Sequence, residues 1–407
     1  MKILIYGINY APELTGIGKF NGDMANWLVT QGHEVRVISA PPYYPEWQIH
    51  PGYRSYFYKK EKLNNVEVIR CPLWIPFAPS TPKRLLHLLT YALSSFPVIL
   101  SNVFWRPDVI ITIEPPVFCL PGSLLAAFFS RAKTVLHIQD FEIDAAFELA
   151  LIHSYFPRKI VVGIESFFMR RFTRVSSISP NMVARAVEKG ISRNDVMLFP
   201  NWVDTKEIYP LENGSSFCSE FNIEGGKVIA LYSGNMGEKQ GLEIIIEVAR
   251  QLTEKSKIQF VMCGTGAAYT RLRKLADGLS NILWIPLQPL ERLNDLLNLA
   301  DIHLLPQSEN VADLVMPSKL TGMLASGRPV VATALPGTLL ADVVQGCGIV
   351  TEPGAEMQFR KAIEELANSP EKRAQFGLAA RRYAVRFIDR DAVMSNFESD
   401  LIKVISN

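Results

Sequence analysis

The chain has 407 residues, of which 48% are hydrophobic and 20% charged; this composition excludes a disordered or fibrous chain and predicts two or three globular domains. The formal net charge of +2 provides no overall field for nucleic acid, which we do not expect as a partner. The five cysteines lie far apart without Cys-x-x-Cys spacing, so zinc sites and a disulfide framework are not expected and a reducing compartment is favoured.

The first predicted element is the strand KILIYG, which is followed by the glycine loop NYAPELTGIGKF and a helix. The opening run has no basic or long apolar leader region, so we expect a cytoplasmic protein. Gly16 and Gly18 begin a dinucleotide-binding pattern, but Asn21 stands where the third glycine is required. The approach from Gly7 is also too long, and no carboxylate follows the next strand, EVRVIS. These features exclude NAD; an anion at the helix start and a turn without ligand remain equally open.

The apolar stretch 85–104, LLHLLTYALSSFPVILSNVF, has the length of a membrane span. It is interrupted by His87, Pro97 and Asn102, and basic residues flank it at both ends. These interruptions favour a buried or interfacial helix over a span. Residues 1–210 carry 22 Lys and Arg against 17 Asp and Glu, so the first half of the chain is weakly basic.

Apolar strand-like runs alternate with helical stretches along the whole chain. The remaining runs are DVIITI, KTVLHIQ and RVSSIS in the first half and KVIALYSG, IQFVMCG, NILWIP, DIHLLP and PVVAT in the second. Such continuous runs indicate parallel strands that are buried on both faces, and the predicted fold class is α/β with two Rossmann-like doubly wound sheets facing across a cleft. A Gly- and Ser-rich segment, 209–227, marks the linker. We place the domains at 1–205 and 206–385, with a C-terminal helix of about 386–407 packing back on the first domain.

Two loops of the second half have features of an anion site. The segment LYSGNMGEKQG puts Gly234 and Asn235 after a buried strand, with Lys239 to supply positive charge. The segment VMCGTGAAY places Gly264 and Gly266 after the next strand, where a flat group could lie against bare backbone. A lone Gly-x-Gly is usually only a turn, so this second feature is weak by itself.

The segment ADLVMPSKLTGMLASGRPVVAT has Ser318 and Lys319 where a helix should begin, so that free N–H groups lie beside an ammonium group. Together with GNMGEKQGL, CGTG and ADIHLLPQ, it resembles the donor half of the retaining glycosyltransferases of family 4. The stretches NYAPELTGIGKF, HIQDFEIDA and GCGIVTEPG agree with the rest of that family, so the resemblance covers nearly the whole chain. It implies the GT-B fold and transfer of a sugar from a nucleoside-diphosphate sugar to a hydroxyl, with retention of the anomeric configuration.

The resemblance also implies roles for individual residues. Gly16 and Gly18 would lie near the donor diphosphate and the reacting sugar, and Asn235 and Lys239 occupy the phosphate-binding positions of the active site, where Arg and Lys are the commoner pair. The other donor-binding positions are Gly234, Gly264, Gly266, Gln288, Asp313, Ser318 and Lys319.

The family usually holds the donor ribose with two glutamates, and neither is present in this chain. The matching positions are Leu314 and Gly322, with Asp313 beside the first as the candidate replacement. Lys239, Lys319 and helix N-termini would then stabilise the departing diphosphate, so we expect no cofactor and no metal. The single Asp-x-Asp triplet, 389–391, is interpreted as a helix cap.

A family histidine follows the fourth strand and aligns best with Gln139. We therefore take Gln139 and Asp140 as catalytic candidates at the strand end, with Asp140 facing the donor sugar. His137 falls inside the strand and is interpreted as structural.

The partners implied by the resemblance are a nucleotide sugar, with GDP-fucose as the guess, and a lipid-linked saccharide used in exopolysaccharide assembly. The basic first half agrees with peripheral binding to the inner face of the cell membrane. The aromatic segments APPYYPEWQ and CPLWIPFAP would line an acceptor groove or dock on lipid, with ordinary loop packing equally open. The alternatives are a sugar-nucleotide 2-epimerase of similar fold and a non-catalytic scaffold that binds a nucleotide sugar.

Overall fold

The computed structural model describes residues 1–77, 80–141, 143, 155–212, 214–237, 240–252, 257–308 and 317–406; of Thr81 and 155–160 only the backbone is described. The chain divides into two compact units, one formed by Met1–Pro200 with Met394–Asn407 and the other by Asn201–Val393. The sequence analysis places the corresponding junctions after residues 205 and 385.

The first unit contains an eight-stranded sheet of order β3-β4-β2-β1-β5-β6-β7-β8. All neighbours are parallel except β3 and β4, which pair antiparallel. The central strands are mostly apolar and almost wholly buried, as expected where helices cover both faces of a sheet. The strands are β1 Lys2–Tyr6, β2 Glu34–Ser39, β3 Lys59–Leu63, β4 Val66–Arg70, β5 Val109–Glu114, β6 Lys133–Ile138, β7 Arg174–Ser177 and β8 Val196–Leu198.

Helices of the first unit pack on this sheet. Phe397 of the last helix stacks on Phe199 with ring centroids 3.8 Å apart, and Glu398 pairs with His33 at 2.7 Å, so the C-terminal segment is part of this unit. The helices are α1 Gly16–Thr30, α2 Thr81–Ser101, α3 Leu120–Ser130, then Tyr155–Met169, Pro180–Glu188 and Arg390–Ser406, with short 3-10 turns at Asn102–Trp105, Val117–Cys119 and Arg193–Asp195.

Among the described residues, one helical stretch, Pro82–Trp105, is by length and composition apolar enough to cross a membrane. In the structure one face of α2 packs against the sheet. The Tyr91 hydroxyl lies 3.0 Å from the carbonyl oxygens of Gly7 and Ile38, and Ser95 Oγ lies 2.6 Å from the Tyr6 hydroxyl. The opposite face of α2 is exposed and apolar.

The second unit contains a wholly parallel six-stranded sheet of order β11-β10-β9-β12-β13-β14. Its strands are β9 Val228–Ser233, β10 Ile258–Cys263, β11 Ile282–Ile285, β12 Ile302–Leu305, β13 Val330–Thr333 and β14 Gly348–Thr351. Its helices are Phe217–Glu220, Glu243–Gln251, Tyr269–Leu275, Leu293–Leu299, Ser318–Ala325, Leu339–Gln345, Glu356–Asn368 and Pro370–Phe387, with a 3-10 turn at Leu290–Arg292.

The predicted fold class, two doubly wound parallel sheets, is confirmed. In each sheet the strand order reverses beside the first strand of that unit, between β1 and β5 and between β9 and β12. Open α/β sheets bind their ligands beyond the carboxyl ends of the strands at such a reversal point. A ligand site is therefore expected in the loops after β1, β5, β9, β10 and β12.

Candidate functional site

Two glycine loops follow β9 and β10 at the carboxyl edge of the second sheet. Backbone hydrogen bonds join them: Gly234 N donates to Cys263 O at 3.0 Å and Met236 N donates to Thr265 O at 2.8 Å. Gly264 has φ +141°, and a Cβ at this position would overlap the Gly234 carbonyl oxygen. Only glycine fits there, so the two loops present bare backbone at the reversal point.

Lys319 lies at the start of the helix Ser318–Ala325 and turns towards these loops. Its Nζ donates to the Tyr232 hydroxyl at 3.0 Å and lies 4.4 Å from the centroid of that ring. The Tyr232 hydroxyl in turn donates to Asn235 O at 2.6 Å. A Cβ on Gly234 would lie 3.7 Å from the Lys319 ammonium nitrogen. Burial partly desolvates the Lys319 ammonium group and lowers its pKa to about 8. Because its surroundings contain less water, this cation can interact strongly with an anion.

The remaining described donor positions lie in loops and a helix start at the carboxyl edge of the same sheet. The Asn235 side chain is exposed, and a Cβ on Gly266 would approach its Oδ1 to 2.6 Å. Gln288 follows β11; its backbone N–H donates to Cys263 Sγ, and its side-chain Nε2 donates to Pro286 O at 2.8 Å. Ser318 is exposed at the helix start. The structure thus brings Gly234, Asn235, Gly264, Gly266, Gln288, Ser318 and Lys319 to one edge of the second sheet.

Two predicted site residues, Lys239 and Asp313, lie outside the described residues. The sequence analysis did not identify Tyr232, although it orients Lys319. A tyrosine in a buried strand looks like any other core residue in sequence, and only the three-dimensional contact with Lys319 distinguishes it.

In the first unit, a buried carboxylate holds the glycine loop after β1. Glu13 Oε1 accepts hydrogen bonds from the backbone N–H groups of Tyr43 and Tyr44, each at 3.1 Å. Asn9 Nδ2 donates to Glu13 Oε2 at 3.0 Å. Burial raises the pKa of Glu13, and the N–H donors oppose that shift. The sequence analysis passed over this residue because its partners lie some thirty positions further along the chain.

The contact between Glu13 and the Tyr43–Tyr44 backbone leaves little space for a side chain at Gly16 or Gly18. Gly16 has φ +60°, and a Cβ there would lie 3.2 Å from the Tyr44 ring. A Cβ on Gly18 would overlap the Glu13 carboxylate. The fully buried Arg70 donates to Ala11 O and, at 3.0 Å, to Ala40 O, which fixes the same loop from its other side. The loop is thus a rigid glycine-lined turn at the start of α1.

At the end of β6, His137 and Gln139 form a buried network. Gln139 Nε2 donates to His137 Nε2 at 3.0 Å, and His137 Nδ1 donates to Ser176 Oγ at 3.0 Å. Burial lowers the pKa of His137 to about 3, so the ring is neutral and orients the Gln139 side chain. Asp140 follows and is exposed. The placement of His137 inside the strand agrees with a structural role.

In the part of the chain that the structure describes, no group of three His, Cys, Asp or Glu side chains is placed to hold a metal ion. Of the Asp-x-Asp triplet, Asp389 Oδ1 accepts from Ala392 N at 3.1 Å. Asp389 therefore caps the helix Arg390–Ser406, as the sequence analysis expects.

Comparison with known proteins agrees with this geometry. Residues 15–202 match the family model described as "Glycosyl transferase 4-like domain", and residues 218–383 match "Glycosyl transferases group 1". The chain is 42% identical to the "Putative colanic acid biosynthesis glycosyl transferase WcaI" of Escherichia coli (strain K12), over 98% of this chain and 100% of that protein.

Solved structures show the same fold at low sequence identity. Sucrose-phosphate synthase from Thermosynechococcus elongatus superposes with a TM-score of 0.75 at 14% identity and covers 99% of both chains. The Anabaena protein Alr3699/HepE, solved in complex with UDP and glucose, has a TM-score of 0.70 at 13% identity and covers 99% of this chain and 100% of its own. At such identities the likeness concerns the fold alone.

Proposed function

The chain belongs to the glycosyltransferases of the group 1 and family 4-like type with the GT-B fold, and we propose that it transfers a sugar from a nucleoside-diphosphate sugar to a lipid-linked saccharide with retention of the anomeric configuration. The observation that carries the proposal is the half-buried Lys319 ammonium on the Tyr232 ring, beside the bare backbone of Gly234.

We propose that the second unit binds the donor. Breaking the anomeric C–O bond places negative charge on the departing diphosphate, and this charge is stabilised by Lys319 and by the N–H groups at the start of its helix. The bare backbone at Gly264 and Gly266 would border the base, with Gln288 at its edge. The departing phosphate would accept the proton of the attacking hydroxyl, so that attack and departure occur on one face of the sugar. Lys239 and Asp313 remain candidates for additional contacts.

We infer that the acceptor belongs to exopolysaccharide assembly, because the similar Escherichia coli protein is described as a colanic acid biosynthesis enzyme. GDP-fucose is the first donor to be tested. A metal is not required by the proposed mechanism, since the cations of the chain itself neutralise the diphosphate.

An exposed apolar surface supports peripheral membrane binding. On α2 the exposed side chains include Leu86, Leu93 and Phe96, and on α3 they include Phe128 and Phe129. A Cβ on Gly122 of α3 would lie 3.3 Å from the Phe96 ring, so the two helices form one surface. We call this surface the α2/α3 face. Exposed apolar surface of this kind marks an interaction site, and the basic residues at its ends match anionic lipid: Lys83, Arg84, Arg106 and Arg131.

A ligand screen with the full chain tests the donor assignment. Thermal unfolding is followed with UDP-, GDP-, ADP- and dTDP-sugars, and a donor that binds the folded state must raise the unfolding temperature. We expect one nucleotide class to stabilise wild type and to lose this effect in Lys319→Ala. Transfer by wild type should continue in EDTA. No stabilisation by any nucleotide sugar would contradict the proposal, and recovery of a 2-epimerised nucleotide sugar would favour the epimerase instead.

A further inference from the structure

A groove of about 710 Å³ lies in the first unit, beside α2. It is formed by two segments that are separate in sequence, 47–49 and 72–77, and by the side of α2 that carries Thr90 and Ser94. Its walls are predominantly aromatic and aliphatic: Trp47, Ile49, Tyr56, Leu73, Trp74 and Phe77. The two aromatic segments of the sequence analysis therefore come together as a groove.

The walls of this groove are held in place by α2. Trp74 N donates to Thr90 Oγ1 at 3.1 Å, and His87 Nδ1 donates to Trp74 O at 2.5 Å. The Trp47 ring packs on the His87 ring with centroids 5.2 Å apart. Trp47 also has φ +55°, a conformation that a bulky residue rarely adopts. The groove is thus preformed, and its aromatic surface is open: Phe77 is 98% exposed.

One end of the groove leads towards the glycine loop. Trp47 packs on Tyr43, with ring centroids 5.7 Å apart, and the backbone N–H groups of Tyr43 and Tyr44 bind Glu13. A Cβ on Gly16 would touch the Tyr44 ring at 3.2 Å. A single short segment therefore joins the glycine loop, where we propose that the reacting sugar lies, to the aromatic groove.

The other side of the groove adjoins the α2/α3 face. Thr90 and Ser94 line the groove, and the exposed Leu86, Leu89 and Leu93 lie on the same helix at the neighbouring positions. An apolar chain bound at this face would therefore lie next to the groove.

The charge at the rim of the groove indicates which polar group a bound lipid chain would carry. The Arg84 guanidinium lies 5.3 Å from the centroid of the Trp47 ring. The helix α2, TPKRLLHLLTYALSSFPVILS, contains Lys83 and Arg84 and no carboxylate. Glu46 is the nearest acid in sequence to Trp47, and it pairs with His50 at 3.4 Å. A basic rim beside an apolar groove is complementary to a lipid chain that ends in phosphate.

We propose that the groove binds the phosphate-proximal part of the acceptor's lipid chain, an isoprenoid diphosphate, with Arg84 beside the phosphate. This inference rests on the proposed function, since it assumes a lipid-linked acceptor. It assigns the groove to the lipid and leaves the glycine loop to the saccharide.

Binding of geranylgeranyl diphosphate to the full chain, followed by tryptophan fluorescence without donor or membrane, tests the assignment. Trp74→Ala and Phe77→Ala should each weaken binding about tenfold, the loss expected when one buried aromatic contact is removed. Trp74 is 42% and Phe77 98% exposed in the free protein, and the variant at Phe77 in particular should preserve the folded state. The control Phe387→Ala, an exposed phenylalanine of the helix Pro370–Phe387 in the second unit, should leave this binding unchanged. Arg84→Ala should weaken binding of geranylgeranyl diphosphate more than that of geranylgeraniol.

Equal binding of inorganic diphosphate and geranylgeranyl diphosphate would overturn the proposal, because it would remove the apolar contribution. Binding of a soluble oligosaccharide, with no binding of the prenyl compound, would assign the groove to saccharide instead and also overturn the proposal. The titration involves neither donor nor turnover. A failure of the proposed transfer reaction therefore appears separately, as absence of nucleotide-sugar binding, while a failure of this inference leaves that binding intact.

Discussion

The surroundings of the Lys319 ammonium group favour the binding of an anion. Its ammonium is packed on the Tyr232 ring and hydrogen-bonded to the hydroxyl of that ring, and burial lowers its pKa to about 8. A bound diphosphate would restore the charge balance and raise this pKa again. Proton uptake and nucleotide binding are therefore linked.

This linkage predicts a pH dependence of donor binding. Below about pH 8 the free enzyme already carries the proton, so affinity should be constant; above it, binding must also take up a proton, and affinity should fall by up to about tenfold per pH unit. Titration of the nucleoside diphosphate between about pH 7 and 10 measures the effect. Lys319→Arg does not titrate in this range and should bind with a flat profile. A wild-type profile as flat as that of the variant would contradict the assignment.

Glu13 is a positioning residue for the glycine loop rather than a group that touches substrate. Glu13→Ala leaves the N–H groups of Tyr43 and Tyr44 without their acceptor, and we expect the free energy of unfolding to fall by about 1–3 kcal/mol. Transfer should be strongly reduced while nucleotide affinity is maintained. Glu13→Gln keeps an acceptor oxygen and should recover most of kcat. Equal losses of kcat and of nucleotide affinity in Glu13→Ala would show that the loop acts on the nucleotide instead.

Among individual residues, the sequence identifies those whose type and local position alone indicate a role in binding. Glycines after strands and a lysine at a helix start carry a local signal, so Gly234, Gly264 and Lys319 could be selected. Tyr232 and Glu13 could not, because their roles depend on partners distant in sequence.

Among the elements, α2 has two faces with different partners. Its buried face holds Tyr91 and Ser95 against the sheet, and its exposed face contributes Leu86, Leu93 and Phe96 to the α2/α3 face. Replacing an apolar membrane-binding side chain by a polar one lowers the affinity of the protein for the membrane.

We therefore expect Leu93→Ser to weaken binding of the full chain to vesicles that contain anionic lipid, by about tenfold. The matched control is Leu378→Ser in a helix of the second unit, since the two leucines are 66% and 60% exposed. Vesicle sedimentation at low salt measures both. If the two variants sediment equally, the exposed face of α2 has no part in membrane binding.

The sequence predicted the buried central strands well and the edge strands poorly. Runs such as KILIY and VIITIE are mostly apolar because helices cover both faces of each sheet. The hairpin β3–β4 was missed because KKEKL is a charged edge strand, which avoids pairing with other chains. The turn of this hairpin does have a sequence signal, the pair Asn64 and Asn65, because asparagine tolerates positive φ. In the structure these residues have φ +48° and +67°, the conformations of a two-residue hairpin turn.

For the whole molecule, the two doubly wound sheets follow from strand alternation, and family membership follows from the match over nearly the full length. The identity of the donor sugar does not follow from these features. Pocket specificity depends on a few side-chain contacts, and two of the candidate residues, Lys239 and Asp313, lie outside the described part of the chain.

The most direct test of the central claim is the rate of sugar transfer from the stabilising nucleotide sugar to a lipid-linked acceptor, compared between wild type and Lys319→Met. We predict a loss of about 10²- to 10³-fold in kcat, the usual effect of removing one preorganised charge at a leaving group. Lys361→Met, at an exposed lysine of the second unit, should keep the wild-type rate. Equal rates for Lys319→Met and wild type would contradict the claim that this edge of the second sheet holds the donor diphosphate.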